Sequence, residues 1–120
     1  MKKLVAAAAM LMIMAGCGGT KEIDLSKLEN RSGVFYAAGE TKEYTGKVTA
    51  KYDDGKLKFE SQWKDGLQEG TQKQYYPSGK LMVEGTFKKG KADGIIKVYD
   101  ETGKVILEEK WKEGVKVVEE

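Results

Sequence analysis

The sequence predicts an all-β fold: a single twisted antiparallel meander of successive β-hairpins, written in 24-residue repeats. Three observations predict it. The phrase DDGKLKFESQWKDG (53–66) returns as PSGKLMVEGTFKKG (77–90) and again as ETGKVILEEKWKEG (101–114). Glycine recurs at 55, 66, 79, 90, 103 and 114, with gaps alternating between 11 and 13 residues, and a polar residue precedes each one. Apolar and polar residues alternate between these glycines. A polar-Gly pair between alternating runs marks a hairpin turn, because Gly accepts the positive φ that such turns need. Each repeat is therefore two strands and two turns.

Before the repeats, residues 1–16 (MKKLVAAAAMLMIMAG) have the layout of an export signal. Lys2 and Lys3 are followed by apolar Leu4 to Met14 and small Ala15-Gly16. The apolar run, taken as the signal-peptide helix, would span roughly 16 Å. That is too short for a hydrocarbon core of about 30 Å. Met14-Ala15-Gly16-Cys17 resembles the lipobox of bacterial lipoproteins, with Met14 in the position usually held by Leu. The resemblance implies cleavage before Cys17, lipid attachment there, and membrane contact through that N-terminal lipid alone. An ordinary secreted protein with a stray Cys is the alternative. Gly18 in place of Asp implies outer-membrane placement where a cell has two membranes. Residues 17–32 read as the lipidated Cys and a short tether, in which Ile23, Leu25 and Leu28 could support a helical turn.

The repeat domain is expected over 33–120, with a partial unit at 33–46 and full units at 46–69, 70–93 and 94–117. Reading each inner loop as a two-residue turn sets the register. Tyr52 then faces Leu57, Ala50 faces Phe59, and Thr49 faces Glu60. In the next unit Tyr76 faces Leu81 and Lys73 faces Glu84; in the last, Val98 faces Leu107 and Lys97 faces Glu108. An aromatic ring faces a glycine in every unit: Trp63 and Gly46, Phe87 and Gly70, Trp111 and Gly94. A ring lying over bare backbone would offset the weak strand propensity of Gly. Three-residue loops with a Gly bulge would shift these pairs locally.

Alternation sends Val48, Ala50, Tyr52, Leu57, Phe59, Trp63, Tyr76, Leu81, Val83, Phe87, Ile96, Val98, Val105, Leu107 and Trp111 to one face. Gln72 and Gln74 interrupt that face in the middle unit. The sheet could curl on itself, dock residues 20–32, or find another chain to cover it. The opposite face is charged, with Glu60, Glu84 and Glu108 set against Lys73 and Lys97. Five apolar or aromatic residues stand on it: Tyr75, Met82, Ile95, Tyr99 and Ile106. Tyr75 would pair with Met82 and Tyr99 with Ile106. They are either cross-strand packing or a partner-binding stripe.

These residues resemble the bacterial variant of the MORN repeat. The pattern falls on Gly70, Tyr75, Tyr76, Gly79, Lys80, Leu81, Glu84, Phe87, Gly90 and Gly94. The flanking units match at Gly46, Tyr52, Gly55, Lys56, Leu57, Glu60, Trp63 and Gly66, and at Tyr99, Gly103, Lys104, Glu108, Trp111 and Gly114. Asp100 departs from the second Tyr, and Val105 from Leu. The resemblance covers about three-quarters of the chain. It implies a protein-binding β-meander without catalysis. Within the family it points to the YwqK type, labelled antitoxin, a label that sits poorly with export.

Composition excludes most chemistry. The chain has no His and one Cys, so it offers neither a Ser-His nor a Cys-His pair nor an internal disulfide. Asp53-Asp54 reads as a polar turn, since one turn supplies too few oxygens for calcium. No glycine pattern suits a nucleotide, so no cofactor and no metal are expected. Without Lys2 and Lys3 the 21 basic residues fall to 19, against 19 acidic ones. That balance argues against nucleic acid. The expectation is a lipid-anchored, non-enzymatic module of the cell envelope. Its protein partner, in the envelope or secreted, would lie against the sheet face or extend the terminal strand. An antitoxin or immunity protein is the first alternative, and a glycan or membrane-surface binder the second.

Overall fold

A computed structural model describes residues 21–118; the signal segment and Cys17 lie outside them. The chain forms β1 (Glu22–Asp24), a 3-10 turn (Leu25–Lys27), β2 (Leu28–Arg31) and β3 (Val34–Ala37). Then come β4 (Gly46–Lys51), β5 (Leu57–Lys64), β6 (Leu67–Gln68), β7 (Gly70–Tyr75) and β8 (Leu81–Lys88). Last are β9 (Lys91–Ala92), β10 (Gly94–Tyr99), β11 (Val105–Lys112) and β12 (Val115–Val117). The main sheet runs β12-β11-β10-β8-β7-β5-β4-β1, with the short β6 beside β5 and β9 beside β8; β2 and β3 pair separately. The repeats are thus successive antiparallel hairpins, β4-β5, β7-β8 and β10-β11.

Two kinds of turn alternate, and the difference corrects the register near the loops. The inner loops are three residues long. Tyr52 N–H donates to Lys56 O at 2.8 Å and Gly55 N–H to Tyr52 O at 2.9 Å, with Gly55 left-handed at φ +90. Tyr76–Lys80 and Asp100–Lys104 repeat this arrangement. Lys51 therefore opposes Leu57, where Tyr52 was expected, and Tyr75, in place of Tyr76, opposes Leu81. Deeper in the hairpins the expected pairs hold, including Ala50–Phe59, Lys73–Glu84 and Val98–Leu107. The outer turns are two residues long, and both residues have positive φ: Asp65 at +50 with Gly66 at +81, Lys89 at +51 with Gly90 at +83, and Glu113 at +50 with Gly114 at +82. This geometry matches the twist of the strands that it joins.

The connectors tie neighbouring hairpins together. β6 pairs with the end of β5 through Trp63–Gln68 and Lys64–Leu67. From its other side it accepts Gly90 N–H at Gln68 O, 2.9 Å. Likewise β9 pairs with β8 and accepts Gly114 N–H at Ala92 O, 2.8 Å. Gly66 N–H donates to Tyr44 O at 2.8 Å in the same way. A second spine runs at the opposite end. Tyr52 Oη donates to Tyr75 O at 2.6 Å, and Tyr76 Oη to Tyr99 O at 2.8 Å. At the next such position Asp100 turns its carboxylate back on its own loop, accepting from Thr102 N at 2.8 Å and Lys104 N at 3.1 Å. These contacts hold its carboxyl below the usual carboxylate range, the Thr102 hydroxyl most strongly.

The core sits at the N-terminal end. Val48 and Ser61 are fully buried and Tyr44 nearly so. Residues 22–31, expected as tether, are instead built into the fold. β1 lies parallel to β4, pairing Ile23 with Val48, so the sheet is antiparallel except at this edge. The partial unit expected from residue 33 begins earlier, because β2 pairs with β3. Phe35 tilts onto Trp63 with ring centroids 4.8 Å apart, and Phe35 N–H donates to Gly66 O at 2.9 Å. Residues 21–37 thus cover the first unit, and among the described residues the two edge strands of the main sheet, β1 and β12, do not pair with each other. Gln72 and Gln74 stay half-buried in the middle unit.

A Cβ at Gly66 would overlap Val34 Cγ1 and stand 3.1 Å from Phe35 O, whereas one at Gly79 would meet nothing within 4 Å. Both glycines are left-handed. In urea unfolding, Gly79→Ala should cost about 1 kcal/mol, and Gly66→Ala roughly 3 kcal/mol. Equal losses would show that the hairpin β2-β3 does not seat on this turn.

Candidate functional site

The charged face is organised by register. Glu60 opposes Lys73, Lys73 opposes Glu84, Glu84 opposes Lys97, and Lys97 opposes Glu108. An alternating row of charge therefore crosses β5, β7, β8, β10 and β11. Opposite charges on facing residues favour this alignment by a few tenths of a kcal/mol per pair. Among the described residues the ion pairs within 4 Å lie elsewhere, at Arg31–Glu29 and Lys116–Glu109. The row sets alignment more than it supplies binding energy.

The five candidate partner-binding residues do not form one paired stripe. Tyr75 opposes Leu81 and Tyr99 opposes Val105, correcting the pairings with Met82 and Ile106. The reason is a bulge next to each loop, where β8 and β11 each carry one extra residue, Met82 and Ile106. Tyr99 Oη donates to Glu84 Oε1 at 3.0 Å. That bond, then burial and the charges of Glu84 and Glu108, push the phenol pKa up. Tyr75 is pushed up too, chiefly by burial and then by Glu60 and Glu84. Both tyrosines therefore stand half-buried among carboxylates. Ile95 is exposed and lines a shallow pocket of about 230 Å³ with Thr71, Glu84, Thr86 and Lys97. Ile106 is 59% exposed and Met82 half-buried.

Gly46, Gly70 and Gly94 stand opposite Trp63, Phe87 and Trp111. The need for glycine has a different source from the facing ring. Gly70 and Gly94 are left-handed, at φ +112 and +120. A Cβ at Gly94 would overlap Thr86 Oγ1, and at Gly70 it would lie 3.5 Å from Gln62 Cβ. At Gly46 a Cβ would fall 2.7 Å from Lys21 O and from Tyr44 Oη. The glycines let each connector bend into the next strand against the preceding hairpin. The rings are set by the residue two before them. Trp63 Nε1 donates to Ser61 Oγ at 2.7 Å, and Trp111 Nε1 to Glu109 Oε1 at 3.1 Å. Phe87 has no N–H, and Gly85 stands two before it, with Ile96 filling the space of a Cβ.

Among the described residues no group of three or more acidic, His or Cys side chains is placed to hold a metal. The profile of the MORN repeat variant matches residues 44–65, 68–89 and 92–113, more than half of the chain. The chain belongs to this family. Neither a curated protein nor a solved structure matches it. Each matched MORN segment starts at the residue whose carbonyl receives a turn glycine, namely Tyr44, Gln68 or Ala92. Each ends on the left-handed residue just before that glycine, Asp65, Lys89 or Glu113. The MORN unit is thus one hairpin closed at its base by that hydrogen bond. MORN repeats are in general protein- or membrane-binding modules and are not typically enzymatic.

The Tyr52 and Tyr76 bonds to the next unit were not anticipated. Their signal was visible: Tyr stands at 52 and 76, and Asp stands at 100, where the series stops. The Trp63–Ser61 and Trp111–Glu109 bonds likewise left a trace in the change of residue two before the ring.

The raised pKa of Tyr99 has a defined sign. Its protonated hydroxyl donates to Glu84, so that stabilisation is whole below pH 10.0, the ordinary phenol value, and is lost as pH rises through the raised folded value. Melting temperature followed from pH 8 to 11 should fall more steeply in the native chain than in Tyr99→Phe. Parallel curves would show that the bond contributes nothing to folding.

Proposed function

We propose that this chain is a non-enzymatic binding module, held at the cell envelope by lipid on Cys17, which takes a protein partner at its C-terminal end. One observation carries the binding reading: the gradient of burial along otherwise equivalent units. Val48 of the first unit is fully buried and Phe59 half-buried, while Leu107, which repeats the position of Phe59, is 47% exposed. Val105, Ile106 and Val115 are exposed beside it. A cluster of large apolar groups at one end of a well-charged domain suits a partner surface better than solvent. The order of signal, small residues and Cys supports the anchor, and the placement beyond the membrane follows from it.

A photo-crosslinking side chain at Ile106 should give one discrete protein adduct in cells. The same group at Lys58, the equivalent position of the first unit, should give none. Adducts that are absent, or alike at both positions, would sink the C-terminal site. The anchor is tested separately: Cys17→Ser should shift the chain from the membrane to the soluble fraction and abolish fatty-acid labelling. Retention on the membrane with no label in the native chain would exclude lipidation.

A further inference from the structure

The inner hairpins show what the open edge of β11 would accept. β5 and β8 are each followed by a strand laid antiparallel along their first half. On β5, Lys73 stands opposite Glu60 and Gln74 opposite Phe59. On β8, Lys97 stands opposite Glu84 and Val98 opposite Val83. β11 repeats both edges in sequence, with Leu107 and Glu108 in the places of Val83 and Glu84. Its second half is covered by β12, which pairs with Lys110, Trp111 and Lys112. Among the described residues nothing pairs with the outer side of Val105–Glu109.

Three features make this edge a receptive one. A notch of about 430 Å³ lies there, lined by Ile95, Leu107, Glu108, Glu109 and Val117 together with the basic Lys110 and Lys116. The alternating row Glu60–Lys73–Glu84–Lys97–Glu108 ends on an acid, with the next basic position vacant among the described residues. Val118 occupies the place where earlier units carry Gly46, Gly70 and Gly94. A β-branched residue does not take the left-handed backbone by which those glycines swing the next strand into line. The chain's own continuation through Val118 therefore does not suit the edge.

We infer that the β11 edge from Val105 to Glu109 receives an extended peptide strand of a partner protein, antiparallel, with Lys or Arg opposite Glu108 and a β-branched apolar residue opposite Leu107. This rests on the binding-module reading above and deepens it. Main-chain hydrogen bonds supply affinity in such strand addition, and the facing side chains select the sequence. An acidic strand is rejected, because it would set like charges directly opposite each other.

The test uses the full chain, isotope-labelled, and a heptapeptide copied from residues 94–100, GIIKVYD. Amide shifts on titration should be confined to Val105–Glu109 and the end of β12. The peptide with Glu in place of Lys, GIIEVYD, should bind about threefold more weakly. Glu108→Lys should reverse that preference, and Glu108→Gln should remove it. Equal binding of the two peptides, shifts elsewhere, or no shift at millimolar peptide would overturn the inference. So would a concentration-dependent dimer that Glu108→Lys abolishes, since a second copy would then hold the edge. A discrete adduct at Ile106 without peptide binding would overturn this inference and leave the broader reading standing.

Discussion

The array depends on its connectors being held from both sides. β6 and β9 are two residues each, too short to be strands by their own propensity. They persist because one flank pairs with the hairpin before and the other accepts a turn glycine from the hairpin after. A lone hairpin is marginal in water, since it leaves one apolar face and two backbone edges uncovered. Here each connector satisfies backbone groups of two hairpins at once, so neighbouring units order each other. The tyrosine bonds at the far end work in the same direction, each running from one unit to the next.

Such an array has two ends, and this chain treats them differently. At the N-terminal end β1 closes the edge of β4 in parallel, while the β2-β3 hairpin lays Phe35 on Trp63. Burial is complete there at Val48 and Ser61. Burial fades along the sheet, through the half-buried Gln72 and Gln74, to the exposed Val105 and Leu107. The polar residues in the middle fit this gradient: a face with no covering layer tolerates amides that can reach water. The same gradient moves the apolar surface from core to contact without any change in the repeat geometry.

Much of this was legible in the sequence. Period 24, the two glycine series and the aromatic-glycine register follow from the backbone rules of strands and turns, and those rules are local. The offset beside each loop was less legible. A polar-Gly pair suits both a two-residue turn and a three-residue loop with a bulge, and in the first unit the text DDGK distinguishes them poorly. Residues 22–31 were legible only as a helical turn, which Leu25–Lys27 form. Their apolar residues, Ile23, Leu25 and Leu28, are few and set among charges, and only pairing with β4 and β3 makes strands of Glu22–Asp24 and Leu28–Arg31. Tertiary cover of that kind leaves no period to read.

The coupling between Trp and the residue two before it argues that the units are not interchangeable. Ser61 can be fully buried because the indole N–H of Trp63 satisfies its hydroxyl. Glu109 takes the same place before Trp111, where its carboxylate also meets Lys116 at 3.1 Å. Lys116 comes first among the contacts that hold its carboxyl below the usual range. A carboxylate there would be costly under the cover that surrounds Ser61. It is tolerated in the last unit because among the described residues no layer lies over it and Lys116 meets its charge. The same position thus carries a neutral hydroxyl where the sheet is closed and a charge where it is open. Local burial decides which residue each copy of the repeat can hold, and so decides which copy is free to meet a partner.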